Sequence, residues 1–225
     1  MDYVFPPTAP PSLAVLGQSA RFPLRRIFCV GRNYAEHARE MGHDPDREPP
    51  FFFTKPADAL VVSGATIPYP PQTEDLHFEA ELVVAIGKGG ADIAVDRALD
   101  HVFGYAAGND LTRRDLQAAA KAARRPWDMA KGFDRSAVVG AIHPGQAVPQ
   151  GVIRCIVAGA TRQEADLSTM IWPVADVIAY LSSLVRLEAG DLIMTGTPAG
   201  VGALQRGETC VVEIEGLSPA TVTIA

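Results

Sequence analysis

Residues 77–87 read HFEAELVVAIG and set two carboxylates, Glu79 and Glu81, at the entrance to a run of core-type side chains. In an extended chain, residues two apart share a face, which predicts Glu79, Glu81, Val83 and Ala85 on one side and Phe78, Ala80, Leu82, Val84 and Ile86 on the other. A half-solvated strand keeps its wet face polar along its length, whereas this one turns apolar after Glu81. Two acids at the mouth of a buried strand repel each other and lose hydration, so they call for protons or a cation. Asp110, in GNDLTRRDLQ, adds a third carboxylate where an apolar stretch meets a helix start. A hard divalent ion suits such oxygen donors: Mg²⁺ or Mn²⁺, with Ca²⁺ sharing the preference. The spacing alone fits surface ion pairs equally well, with Asp110 helping to cap the helix. Glycosidase carboxylates must flank a bond rather than share a face, and the chain has no His and Cys at zinc spacing.

A second group lies in GRNYAEHAREMG. His37 and Glu40 are three apart and share a helix face, so the carboxylate can orient the imidazole and raise its basicity toward a water; a solvated helix face is the plainer alternative. Beyond Asp110, Arg114 and Gln117 share a face, and Lys131 lies in the apolar setting of WDMAKGFD. An arginine and a lysine beside a metal suit a substrate bearing carboxylates. Arg113, Lys121, Arg124 and Arg125 are expected on a solvated face. The glycine-rich TGTPAGVG lacks the GK[ST] ending of a phosphate loop and precedes no helix, which favours close backbone approach to a small ligand, with Thr197 as a donor.

These groups must be positioned by a chain of 225 residues, 48% hydrophobic, enough for one domain. Its formal net charge of −6 is spread without a basic arm, which excludes nucleic acid as the expected partner. MDYVFPPTAPPSLAV has neither a basic leader nor a long apolar run, and no segment reaches the roughly 18 apolar residues of a membrane span. Cys29, Cys155 and Cys210, widely spaced among apolar neighbours, are expected as buried free thiols in a reducing, cytoplasmic setting.

Residues 1–24, rich in proline, are expected to run extended, ahead of a catalytic domain over 25–225. RIFCV reads as a buried strand, followed by a helix over 34–41 capped by Asn33, with Glu36 completing a capping box and Gly42 as its stop. So short a helix needs packing or a ligand to hold it, and closure of this helix over the site is expected on substrate binding. Strands are predicted around Phe51 to Thr54, in VFGYAAGND, GVIRCIVAG, DLIMTG, ETCVVEIEG and ATVTIA, with a helix capped by Thr112 and running to Ala123. WPVADVIAYLSSLVRLEAG predicts a helix with Pro173 in its first turn, an apolar stripe of Val174, Val177, Ile178, Leu181, Leu184 and Val185, and Gly190 at its end. Many short strands with few, irregularly placed helices make an α+β, strand-rich single domain.

In order along the chain, VGRNYAEHAREMG, FFFTKPADAL, HFEAELVVAIGK, GYAAGNDLTRRDLQ, PWDMAKGFD and DLIMTGTPAGVG resemble the motifs of the fumarylacetoacetate hydrolase family over most of the sequence. The resemblance implies a mixed β-sandwich roll, a divalent metal on Glu79, Glu81 and Asp110, and a homodimer. It implies His37 and Glu40 as the water-activating pair, Lys131 as the cation near the reacting carbonyl, and Arg32, Arg114, Gln117 and Thr197 as contacts to a small 2-oxo acid. The activity it implies is metal-dependent C–C bond hydrolysis in an acylpyruvate, fumarylpyruvate being the expected substrate of an aromatic-catabolic route. Oxaloacetate decarboxylation or tautomerisation is the alternative. One departure is Asn109, where close relatives more often have an apolar residue, which is expected to adjust the surroundings of Asp110.

Overall fold

The computed structural model describes residues 2–40 and 49–225. The expected Gly42 helix stop lies outside the described residues. Runs of β-branched and small apolar residues build two packed sheets. The larger is an eight-stranded mixed sheet in the order Phe51–Lys55, Arg26–Gly31, Asp191–Met194, Ala80–Ile86, Val102–Asp110, Ala137–Val139, Leu60–Val62, with His143–Pro144 added beside Val102–Asp110. The smaller runs Ala160–Asp166, Val152–Val157, Thr209–Ile214, Ala220–Ile224, Ala65–Ile67. Sequence-distant strands pair directly: Asp191–Met194 lies parallel to Arg26–Gly31 and antiparallel to Ala80–Ile86.

All seven residues of Ala80–Ile86 are buried, because both faces of this strand are covered. Leu82, Val84 and Ile86 join Tyr105, Ala107, Ile153, Cys155, Val212 and Val222 in the core between the sheets. Val83 and Ala85 face the opposite way, with Ala106, Leu192 and Met194, onto Leu13, Val15, Phe22 and Leu24. Those last residues belong to or adjoin a small antiparallel hairpin, Ser12–Ala14 with Arg21–Pro23. The large sheet is thus sandwiched, and the apolar continuation after Glu81 is its middle layer.

Helices are few. Val174–Leu184 buries Val174, Val177, Ile178 and Leu181. It ends short of the predicted Gly190: Leu184 is 59% exposed and Val185 already extended. Gly190 serves the next turn instead, at φ +97, where a Cβ would stand 2.7 Å from the Pro23 carbonyl oxygen. The helix after Asp110 spans Arg114–Ala122 without the expected cap. Thr112 lies in a two-residue strand and donates its hydroxyl to the Asp110 carbonyl, while the Asp115 carboxylate accepts from Thr73 Oγ1 and the Glu74 and Leu116 amides. All three cysteines are free and buried. Among the described residues no helix is long and apolar enough to cross a membrane.

Candidate active site

HFEAELVVAIG is not one strand. Leu76–Phe78 belongs to a three-stranded sheet with Thr112–Arg113 and Gly202–Ala203, and Ala80–Ile86 to the large sheet. Glu79 is the hinge between them. Its N–H donates to Asn109 Oδ1 at 2.9 Å and its carbonyl accepts the Asp110 N–H at 2.9 Å, so the bend is held by the neighbouring strand. Simple alternation therefore stops at Glu79, and the two glutamates meet because the chain turns there. The antiparallel register pairs Ala80 with Asn109 and Glu81 with Gly108, which sets Asp110 beside them. Carboxylate oxygens of Glu79, Glu81 and Asp110 all lie within 4.8 Å of one another, and the three residues are 5%, 1% and 0% exposed. The spacing left ion pairs and a metal equally open; burial of all three acids removes the surface alternative. Asn109 acts on the Glu79 backbone rather than on the Asp110 carboxylate, and its amide nitrogen donates to Cys210 Sγ at 3.2 Å.

The acids are unequally compensated. Lys131 Nζ bridges Glu79 Oε2 at 2.6 Å and Asp110 Oδ2 at 2.8 Å, and Arg114 Nη2 meets Glu79 Oε1 at 2.5 Å. Burial alone would raise the pKa of Glu79, but Lys131, Arg114 and His37 outweigh it and hold Glu79 well below the usual carboxylate range. Glu81 goes the other way: burial, then Asp110 and Glu79, push it well up, opposed by Lys131 and the Gly196 N–H, which donates to Oε2 at 2.7 Å. For Lys131, burial works against the charge, yet Asp110 and Glu79 raise its pKa above the ordinary lysine value. Three buried carboxylates thus face two buried ammoniums, Lys131 and Lys55. A hard divalent cation answers the remaining repulsion at Glu81, and the all-oxygen donor set fits one.

A cavity opens on this triad, lined among others by Arg32, His37, Phe51, Glu79, Glu81, Arg114, Gln117, Lys131 and Thr197. Every described side chain singled out from the sequence is therefore brought to one place. His37, on helix Ala35–Glu40, is 6% exposed. Glu40 closes the same helix, and its side chain lies outside the described residues. Gln117 accepts from Arg114 Nη1 at 2.6 Å, and Thr197 Oγ1 accepts from Gln163 Nε2 at 2.8 Å, leaving the threonine O–H to donate. Arg32 has φ +60 and its guanidinium lies 5.1 Å from the Phe51 ring centroid. A broader depression of about 510 Å³ adjoins the cavity and shares Phe51, Phe53, Trp127 and Lys131 with it.

Comparison with known proteins places this geometry. Residues 26–225 match the model of the fumarylacetoacetate hydrolase C-terminal domain. The chain belongs to the fumarylacetoacetate hydrolase family. It is therefore an enzyme of a family of hydrolases acting on carbon–carbon bonds. Over 188 residues it is 45% identical to a fumarylpyruvate hydrolase of Ralstonia sp., covering 82% of this chain and 98% of that protein. It is 41% identical over 197 residues to a mitochondrial oxaloacetate decarboxylase of Dictyostelium discoideum, covering 86% and 90%. Among solved structures, fumarylpyruvate hydrolase from Pseudomonas aeruginosa in complex with Mn²⁺ and pyruvate superposes with a TM-score of 0.96 at 50% identity, covering 100% of this chain and 99% of that one.

Several residues around the triad were not singled out from the sequence or were read for another role. Lys55, in FTKP, is fully buried with its Nζ 2.6 Å from Asp110 Oδ1 and 3.1 Å from the Leu111 carbonyl, and it also donates to the Lys131 carbonyl. Gln163, on an otherwise exposed strand, holds Thr197, the Pro198 carbonyl and the Ala80 N–H. Asn33 is no helix cap: its amide nitrogen donates to the Trp172 and Thr195 carbonyls and its oxygen accepts the Trp172 N–H, tying the first motif to the TGTP loop. Gly196 in that loop has φ +94, and a Cβ there would stand 2.8 Å from Asn33 Cβ, so the backbone approach is to Glu81 and Asn33. Two cations expected on a solvated face are half-buried. Arg113 stacks 4.3 Å from the Phe133 centroid, and Lys121 lines the cavity, whereas Arg124 and Arg125 are exposed as expected.

Proposed function

We propose that the protein hydrolyses a carbon–carbon bond in an acylpyruvate, with fumarylpyruvate, cleaved to fumarate and pyruvate, as the substrate. The observation that carries this reading is His37, a base buried in the wall of the cavity that holds the acid triad. An attacking water needs such a base, and decarboxylation of a 2-oxo acid does not. The Mn²⁺ and pyruvate of the Pseudomonas aeruginosa structure support the same assignment.

Glu79, Glu81 and Asp110 are assigned as metal ligands. A divalent ion held there supplies Lewis acidity toward the 2-oxo and carboxylate oxygens of the pyruvate half. His37, oriented by Glu40, takes a proton from water, whose oxygen adds to the distal acyl carbonyl. Lys131 has two of its three protons on Glu79 and Asp110, and the third is assigned to the oxyanion that develops on that carbonyl. Such a donor contributes about 3 to 4 kcal/mol to the transition state. As the carbonyl re-forms, the C–C bond breaks and its electron pair passes to the methylene carbon, which takes a proton to become the pyruvate methyl. His37, protonated in the first step, is the nearest assigned acid for that return. Arg32, Arg114, Gln117 and Thr197 are assigned to substrate oxygens. Aromatic-compound breakdown, a homodimer and a cytoplasmic setting complete the proposal, the last supported by three unpaired buried thiols.

The 41% identity to an oxaloacetate decarboxylase favours a second reading, oxaloacetate decarboxylation or tautomerisation on the same ligands. One experiment separates them. Purified protein with Mg²⁺ or Mn²⁺ is offered fumarylpyruvate, maleylpyruvate, acetylpyruvate and oxaloacetate, and products are identified with and without chelator. Pyruvate plus fumarate, abolished in His37→Ala and by chelator, is the expected result. CO₂ from oxaloacetate alone, surviving His37→Ala, sinks the hydrolase.

A further inference from the structure

The cations around the acid triad are nearly all answered by acids. Arg114 pairs with Glu79, Lys131 with Glu79 and Asp110, and Lys55 with Asp110. Lys121 is different. Its ammonium lies 5.1 Å from the Trp127 ring centroid, and among the described residues it makes no ion pair with a carboxylate. Yet it lines the same cavity as Glu79, Glu81 and His37.

Arg114, Gln117 and Lys121 stand at positions i, i+3 and i+7 of helix Arg114–Ala122 and so share one face. At 1.5 Å per residue, the Lys121 backbone lies about 10 Å along the axis from that of Arg114. Arg114 marks the acid end of this face through its bond to Glu79, so the face runs outward from the triad to Lys121. With C–C bonds of about 1.5 Å, a seven-carbon dioxo diacid measures about 7 to 8 Å from one carboxylate to the other. The flexible lysine stem covers the difference.

We propose that Lys121 is the specificity-determining residue for the acyl group: its ammonium binds the distal carboxylate of an acylpyruvate whose acyl part is itself an acid, over the Trp127 ring. The proposal rests on the acylpyruvate reading above. It explains why a cation with no carboxylate in ion-pair reach among the described residues is kept in a largely cationic neighbourhood. Burial first, then Arg114 and Arg32, with Lys131 adding to them and Glu79 opposing, push the Lys121 ammonium down to about 8, and a carboxylate set against it relieves that repulsion. The charge is present below pH 8 and lost as pH rises through it, so affinity for a diacid falls on the alkaline side while affinity for a neutral-tailed substrate does not follow.

The test is the ratio of kcat/KM on fumarylpyruvate to that on acetylpyruvate, whose acyl tail is a methyl group, using Mg²⁺-loaded enzyme. Lys121→Met keeps the stem and removes the charge; Lys121→Arg restores the charge. The ratio is expected to fall about 10- to 100-fold in the methionine variant, mainly through KM, the range for loss of one charge-assisted hydrogen bond, and to recover in the arginine variant. A ratio unchanged in Lys121→Met, whether both rates hold or both fall together, overturns the proposal. If the wild type hydrolyses neither substrate, the acylpyruvate reading fails separately. Calorimetric titration with fumarate and crotonate, which differ by one carboxylate, then decides: a wild-type preference for fumarate lost in Lys121→Met supports the site, and any other outcome overturns it.

Discussion

Replacing Lys55 by methionine removes an ammonium from a place water cannot reach. Lys55 and Asp110 side chains are both 0% exposed and their charged atoms are 2.6 Å apart. At an effective dielectric of about 20 that attraction is on the order of 6 kcal/mol, offset by the cost of burying both ions. Removing one partner of a buried pair strands the other charge and typically costs about 3 to 5 kcal/mol. Here Lys131 still bridges Asp110 Oδ2, but Oδ1 keeps no hydrogen-bond donor, and the Leu111 carbonyl also loses the Lys55 ammonium. The expected loss is therefore at the lower end, about 3 kcal/mol, or a Tm lower by about 6 to 12 °C for a chain of this size. Urea denaturation in chelator at neutral pH reads it directly. Adding Asp110→Asn removes the stranded charge, so the double variant should be less destabilised than the sum of the singles by about 2 kcal/mol or more. A loss under about 1 kcal/mol for Lys55→Met, or strict additivity in the cycle, would refute the idea that Lys55 is a structural counter-charge to the ligand set.

Two further outcomes follow from the same geometry. Gly196→Ala forces a side chain into φ +94 and against Asn33, and disturbs the N–H that holds Glu81; stability should fall by about 1 to 3 kcal/mol and Mn²⁺ affinity by about tenfold in calorimetric titration, whereas wild-type affinity would separate Glu81 from this loop. Helix Ala35–Glu40 has six residues, too few to be stable alone, so amide exchange over 35–40 should slow when Mg²⁺ and oxalate are added, and identical exchange in both states would remove closure of this helix from the mechanism.

His37 did not stand out, since its helix face reads as solvated, and only its burial in the cavity wall sets it beside the triad. The acids and Lys131 stood out as candidates because each sits in a local pattern that makes a charge costly: Glu79 and Glu81 before an apolar run, Asp110 at a strand end, Lys131 among apolar residues. The strands were legible for the same reason, since buried segments such as RIFCV and DLIM are too apolar to be anything else. Caps were less so. Asn33, Thr112 and Asp115 have the right side chains for capping, but each finds a stronger partner far away or on the neighbouring turn.

Local sequence marked which segments are extended or helical, and which side chains are candidates for chemistry, because periodicity and burial cost act over a few residues. Tertiary structure decided everything that depends on long-range pairing. It broke HFEAELVVAIG at Glu79, because Asn109 and Asp110, about thirty residues on, hold that backbone. It set Lys55, whose motif FFFTKPADAL gave no role to the lysine itself, against Asp110, and brought in Gln163 from a mostly exposed strand. And it turned Lys121 from a residue on a polar helix into a cation lining the cavity, since which face of a helix meets a cavity is set by what the helix packs against, not by the helix itself.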